Sequence, residues 1–570
     1  MAMVKSVLCT MGEVLCELFI PYLMSLVVDR GIPAGGISYI ATVGGSMIAL
    51  ALLAIFFGLL NMRYAALSSQ GFAANLRNAL YERAQRFSFG NIDEFSGASL
   101  ITRMTNDVTQ LQTSIMMMLR MLTRAPLMLV CALAISMSIN FRLSLVVVVS
   151  IALLFSGTLL VMRYARPLFQ AMQRRLDALN ASVQENLTAI RVVKAFVREP
   201  YEKEKFARVN DDLTEAAVRA GSVASLMMPG MTLVLNATMI AVIWLGGRMV
   251  GSGNMLTGEL MSFISYIMQI LMSVMMFSMV LMMLTRARAS AERILEVLDT
   301  KPAIEDSPEA QRDRPQVGAG RVEFRNAGFR YCELDEQGNP CERVLEDISF
   351  VAEPGKVVGI IGETGSGKTS LVSLIPRFYD ASAGEVLVDG VDVRSYLQAD
   401  LRKGIGMVMQ KSNLFSGTIR ENILWGDEGA SMEQVVAAAR DAQAHDFISA
   451  FPQGYETELG QGGVNVSGGQ KQRICIARAM IKRPRILILD DSTSAVDTAT
   501  EAGIRRALRQ NYADVTVILV AQRISSVRDA DRILVLGDGR LDAAGTHEEL
   551  MAAGGTYAEI YNSQTEEGFA

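Results

Sequence analysis

Apolar and polar positions alternate on a long period through the first half of the chain and on a short one through the second. Up to about residue 290, long runs of Leu, Val, Ile, Met and Ala are separated by basic polar stretches; beyond about residue 320 the mix is that of a soluble α/β domain. A bilayer core is crossed by about 20 apolar residues in a helix. Six stretches come close to that length: residues 7–28, 40–62, 121–138, 143–162, 223–245 and 260–284. Short polar turns at 29–36, 140–142 and 246–257 join the first span to the second, the third to the fourth and the fifth to the sixth. Long polar segments make the other two connections.

The long segments carry Arg63, Arg77, Arg83, Arg86 and Arg103 in one case and ten Arg and Lys between Arg163 and Arg208 in the other, whereas each short turn has a single Arg. The positive-inside rule then places the long segments and both termini in the cytoplasm. Residues 1–12 are expected to belong to the first span, since the apolar run continues past the length of a signal peptide's h-region. Glu13 and Glu17 fall inside that span, where a carboxylate faces protein or water. They are read either as contacts for a cationic substrate or as an inter-helix hydrogen bond or a position near the membrane edge. The 34 Met residues suit a deformable cavity lining and equally suit generic lipid-facing positions.

Composition agrees with a membrane protein: of 570 residues, 50% are hydrophobic and only 20% charged. A net charge of −5, with basic residues placed beside apolar spans, gives no footprint for nucleic acid. Cys9, Cys16, Cys131, Cys332, Cys341 and Cys475 form no CxxC pair and have no accompanying His cluster, so neither a zinc site nor a disulfide framework is expected. Cys332 and Cys341 flank the acidic turn 333–340 and are read as free thiols on a cytosolic hairpin.

Residues 286–320 are charged and contain Pro302, Pro308 and Pro315, the pattern of a connector. Residues 322–324 and 348–350 then alternate like edge strands, and the apolar run 357–361 is a buried strand leading into Gly362-Glu363-Thr364-Gly365-Ser366-Gly367-Lys368-Thr369. That octapeptide satisfies the Walker A pattern in its required strand–loop–helix context. Its glycines open backbone N–H groups to phosphate, Lys368 reaches the outer phosphates and the Thr369 hydroxyl ligates Mg²⁺. Residues 485–489 lead to Asp490, a carboxylate at a strand end suited to the same Mg²⁺.

Further on, Val466-Ser467-Gly468-Gly469-Gln470-Lys471-Gln472-Arg473 resembles the signature of ATP-binding-cassette (ABC) proteins. With six spans ahead of it, the chain resembles one half of an ABC exporter over essentially its whole length. The resemblance implies an α-helical polytopic membrane domain of six transmembrane helices (1–285), a linker (286–320) and an α/β P-loop ABC ATPase domain (321–570). It implies ATP and Mg²⁺ as ligands and a multi-pass place in a bacterial cytoplasmic membrane. Tyr331 matches the aromatic that stacks on adenine, and Ser370 continues the phosphate loop. Gln410 matches the glutamine that touches Mg²⁺ and attacking water, so Thr369, Gln410 and Asp490 form the expected metal set. Ser467, Gly468, Gly469 and Gln470 would open a helix onto the γ-phosphate of ATP held by the other subunit. Asp497 matches a loop that faces across the dimer. Pieces resembling coupling helices lie at 96–107 and around 198–202. Exporters of this kind begin with an amphipathic elbow helix, for which the first residues leave no room.

Three positions depart from the family pattern. Asp491 stands where Glu polarises water, Gln522 where His contacts the γ-phosphate, and Gln461 where exporters commonly have Glu. Asp491 is short of Glu by one C–C bond, about 1.5 Å, and Gln522 donates a hydrogen bond but carries no charge. Such a pairing beside an intact signature resembles the degenerate half of a heterodimeric exporter, whose partner supplies the complete catalytic site. A slow homodimer and a nucleotide-gated membrane regulator remain as alternatives. The cargo stays open between amphipathic drugs, lipids and peptides.

Overall fold

In the computed structural model, which describes residues 1–332 and 340–566, every apolar stretch lies within a longer helix. Among the described residues, six helices are long and apolar enough to cross a membrane: Ala2–Gly31, Ile37–Gln85, Gly97–Ile139, Phe141–Thr188, Glu199–Gly251 and Thr257–Asp299, the last with its apolar part at Thr257–Phe277. At about 1.5 Å per residue, the 49 residues of Ile37–Gln85 reach roughly 74 Å, more than twice a bilayer core. Such helices therefore extend well beyond the membrane. In most of them the apolar stretch lies toward one end, and the polar positions that continue the helix are helical surface, which is why sequence hydropathy alone sees only part of each helix. Asn140 stops one helix and starts the next, its side chain accepting from Leu143 N at 3.1 Å. The last helix runs on to Asp299, so residues 286–299, expected as connector, are helical.

The chain divides into two units, Met1–Gln85 with Ala98–Thr300, and Arg86–Gly97 with Lys301–Ala570. In the first, Val14, Leu18, Ala132, Leu143, Val147, Phe263, Tyr266 and Ile270 form the centre of the apolar packing. Tyr266 is buried there with its hydroxyl donating to Leu18 O at 2.8 Å. Glu13 and Glu17 both accept from Arg124 of the third spanning helix, at 2.6 and 2.7 Å. The inter-helix reading of these carboxylates is the one observed.

The first expected coupling piece is displaced. Residues 97–107 begin the third long helix, where Asp107 is buried and accepts from Ser290 and Arg293, each at 2.9 Å. The part of that long polar segment belonging to the second unit contains the short helix Phe89–Phe95. Phe89 stacks on Phe378 with ring centroids 4.2 Å apart, and Asp93 accepts from the Tyr379 hydroxyl at 2.5 Å. An amphipathic turn of seven residues is too short to register as a hydropathy period, whereas its neighbour 96–107 does show one. In the second segment the chain breaks at Phe196 and Val197, both 74% exposed, before the helix resumes at Glu199.

The second unit is built on a six-stranded sheet in the order Arg540–Gly545, Arg532–Gly537, Val357–Gly362, Thr516–Val520, Ile486–Asp490, Ile405–Val408. Only the first pair is antiparallel. Neighbouring residues alternate between two apolar layers, with Ile360, Ile488 and Ile518 in one and Ile361, Leu487, Leu489, Val517 and Leu519 in the other. Burial on both faces explains the unbroken hydrophobic runs of these strands. A smaller antiparallel sheet contains Val322–Phe329 and Leu345–Ala352.

Cys332 and Cys341 are joined in a disulfide with Cα atoms 5.7 Å apart, which corrects the expectation of free thiols. Val344 N bonds Phe329 O at 2.9 Å. Three residues beyond Phe329 and three before Val344, the cysteines face each other across the hairpin. The acidic turn between them lies, except for Pro340, outside the described residues.

Candidate functional site

Strand register places the site. Val520 pairs with Ile360 on one side and with Asp490 on the other, so three parallel strands end within two residues of one another. Their following segments, the glycine loop from Gly362, the Asp490–Asp491 step and the loop of Gln522, emerge side by side at the carboxyl edge, where open α/β sheets bind ligands. Together they line a cavity of about 320 Å³ with Tyr331, Val344, Thr364, Gly365, Gly367, Lys368, Thr369, Ser370, Gln410, Asp490, Asp491, Val520 and Gln522.

Gly365 and Gly367 both have φ +91°, a backbone region closed to other residues, and a Cβ on Gly367 would come within 2.9 Å of Val344 O. Lys368 Nζ caps the loop by donating to Gly362 O at 2.8 Å and Glu363 O at 2.6 Å. Gly362 and Ser366 support the loop from behind and are absent from the cavity lining. Thr369 donates to Asp490 Oδ1 at 3.1 Å. The Tyr331 hydroxyl pairs with Ser370 Oγ at 2.8 Å, and its ring stands edge-on to Tyr379.

Asp491 adopts φ +47° and accepts at Oδ2 from Gln522 Nε2 at 2.8 Å and from Gln410 Nε2 at 3.5 Å. Burial pushes the carboxyls of Asp490 and Asp491 above the ordinary aspartate range. Burial also pulls the Lys368 ammonium below its ordinary value, against the pull of the two carboxylates. Two desolvated carboxylates with one lysine leave negative charge that a cation would offset. The hydroxyl, carboxylate and amide oxygens of Thr369, Asp490 and Gln410 are the hard donors Mg²⁺ prefers, so the donor set fits that ion.

Ser467, Gly468, Gly469 and Gln470 do not line this cavity. They open the helix Gly468–Ile481, where Ser467 Oγ accepts from Gln470 N at 3.3 Å and Gln470 Oε1 from Ser467 N at 2.9 Å, a reciprocal capping box. Asp497 caps the helix Thr498–Asn511. Val344, Val520 and Gln564 escaped the sequence reading. The first two are apolar strand residues like many others, and Gln564 lies some forty residues from the loop it binds, accepting from Ile524 N and donating to Gln522 O.

A phosphate-loop site on a parallel sheet, attached to six membrane-length helices, defines an ATP-driven membrane transporter. Residues 3–274 match the family described as ABC transporter transmembrane region, and residues 345–494 the family described as ABC transporter. An ABC transporter ATP-binding protein of Bacillus subtilis (strain 168), YfiB, is 41% identical over 97% of this chain and 94% of its own. A fatty acid ABC transporter ATP-binding/permease protein of Mycobacterium bovis (strain ATCC BAA-935 / AF2122/97) is 37% identical over 93% and 82%. An ATP-dependent lipid A-core flippase of Syntrophus aciditrophicus (strain SB) is 34% identical over 87% and 81%. A bacterial Atm1-family ABC exporter solved with ATP bound superposes with a TM-score of 0.81 at 28% identity, over 99% of this chain and 97% of that one. The chain belongs to the ABC transporter family and is an ABC exporter half-transporter, a multi-pass membrane protein of a kind that works as a dimer.

Proposed function

We propose that this chain is the ATP-holding, weakly hydrolysing half of a heterodimeric exporter in a bacterial cytoplasmic membrane, with both termini cytoplasmic. The observation that carries the reading is the clamp on Asp491: the carboxylate at the water-polarising position accepts from the Gln522 amide at 2.8 Å. A general base must reach the proton it removes. Asp491 is one methylene short, and an uncharged amide occupies its outer oxygen. Tyr331 would stack on the base, the backbone of residues 364–367 with Lys368 would bind the phosphates, and Thr369, Asp490 and Gln410 would hold Mg²⁺. Bound Mg²⁺ supplies charge neutralisation of the phosphates. Ser467, Gly468 and Gly469 would complete the partner's site, where most hydrolysis occurs.

The cargo we favour is a lipid-like amphiphile. Two relatives are named for a fatty acid and for lipid A-core. The test is purification of the tagged chain from its native membrane. A second half-transporter with Glu and His at the positions of Asp491 and Gln522 should accompany it, and reconstitution of the pair should give ATP-dependent lipid movement. A rapidly hydrolysing homodimer would refute the heterodimer reading; nucleotide binding without transport would favour a regulator.

A further inference from the structure

The C-terminal helix Thr556–Glu566 reaches the loop that carries Gln522. Tyr557 anchors it, buried with its hydroxyl 2.8 Å from His547 Nδ1, and Ile560 and Tyr561 pack on the core. One turn beyond Tyr561, Gln564 Nε2 donates to Gln522 O and Gln564 Oε1 accepts from Ile524 N, both at 2.8 Å. Sheet hydrogen bonding ends just before this point, at Ala521 N to Ile360 O, 3.1 Å. Ile524 opens the short helix Ile524–Val527, which receives no capping bond from the side chain of its N-cap residue, Arg523. The backbone groups on either side of Arg523 are thus satisfied from a separate element. Gln522 then passes the restraint on, because its own amide sits 2.8 Å from Asp491 Oδ2.

We propose that Gln564 is a positioning residue: it fixes the 522–524 loop so that the Gln522 amide stays on Asp491, and thereby sets how long this chain's site retains its nucleotide. The inference rests on the reading that the cavity binds MgATP. A carboxamide is required because the loop presents one acceptor and one donor. Glu keeps only the bond from Ile524 N, and Met fills similar space with neither bond.

The experiment uses the full chain in its native assembly, with Mg²⁺ and radiolabelled 8-azido-ATP as probe, and measures the dwell time at this chain's site by chase with unlabelled MgATP before crosslinking. Gln564→Met should shorten the dwell about three- to tenfold, the scale of one or two lost neutral hydrogen bonds, and Gln564→Glu by less. In the double variant Gln564→Met with Gln522→Ala, dwell should match Gln522→Ala alone, because both changes release the same contact. Additive losses would mean that Gln564 only secures the helix, and would overturn the proposal. So would an unchanged dwell in Gln564→Met beside a shortened one in Gln522→Ala, which would leave the site reading intact. Unchanged labelling in Lys368→Ala would instead defeat the site reading itself. If Gln564→Met does not accumulate, Gln564→Glu carries the same comparison.

Discussion

Gln522 and Asp491 are joined through a single hydrogen bond, Nε2 to Oδ2 at 2.8 Å, on the oxygen that Gln410 also approaches. The bond links the ends of two adjacent parallel strands and joins the two positions that depart from the family pattern. A Glu at 491 would carry its carboxylate about 1.5 Å further, and a His at 522 would bring a ring able to take a charge.

On the proposed reading, placing the family's residues at both positions should speed chemistry. Asp491→Glu with Gln522→His is expected to raise hydrolysis at this chain's site by about 10- to 100-fold, the scale of a roughly 1 Å placement error. Either change alone should give less. Phosphate release from single turnovers of the assembled transporter, with the partner's Walker lysine disabled, measures it. No gain in the double variant would mean that the slow step lies elsewhere.

Burial raises the Asp490 carboxyl above the ordinary aspartate value, so the folded chain binds that proton more tightly than the unfolded chain. Its contribution without divalent cation is then most favourable below the ordinary aspartate value and is lost as pH rises from there through the raised one. Asp490→Asn should consequently raise the melting temperature in EDTA near neutral pH, by less in mild acid, and should abolish the added stability given by MgATP. A variant less stable than wild type in EDTA at neutral pH would contradict this.

Tyr379 holds the helix Phe89–Phe95 through Asp93, while Phe378 stacks on Phe89. Burial, then the Asp93 charge, push the phenol upward, so it remains a donor. Tyr379→Phe keeps the ring against Phe329 and Tyr331 and loses only the bond. About 1 kcal/mol of local stability should go with it, read as roughly fivefold faster hydrogen exchange across residues 86–97. Unchanged exchange there would assign the docking to the aromatic stack alone.

Arg124 is ion-paired with both Glu13 and Glu17 within the spanning helices. Arg124→Met should cost about 3–5 kcal/mol and most of the folded yield, because it strands two carboxylates. Adding Glu13→Gln and Glu17→Gln should recover much of the yield, as amides can bond locally. Folded yield in detergent is the readout, and failure of the triple variant would show a need for the charges themselves.

The strand, loop and signature elements were legible because their chemistry fixes residue type and spacing: glycines at φ +91°, a lysine after them, and an aspartate at a strand end. The lengths of the membrane helices were not, since their polar ends have the same composition as loops. The Phe89–Phe95 docking helix, the Cys332–Cys341 bridge and the Gln564 clamp depend on contacts made by folding across long separations in sequence. A lone Gln or a pair of spaced Cys carries no local period to reveal them.

The capping box at Ser467 gives the sharpest test of which site does the chemistry. Ser467 and Gln470 bond each other's backbone at the start of the helix Gly468–Ile481, leaving the N–H groups at that end directed outward. On the proposed reading those groups face the ATP of the partner's complete site, whereas Asp491 belongs to the weak one. Ser467→Arg removes the cap and places a bulky side chain at that phosphate, so it should abolish most steady-state phosphate release by the purified dimer at saturating ATP. On the same reading the Asp491 carboxylate is too short to position water, so Asp491→Asn should leave most of the activity. Equal damage from the two would make Asp491 a working base and reverse the assignment of the sites.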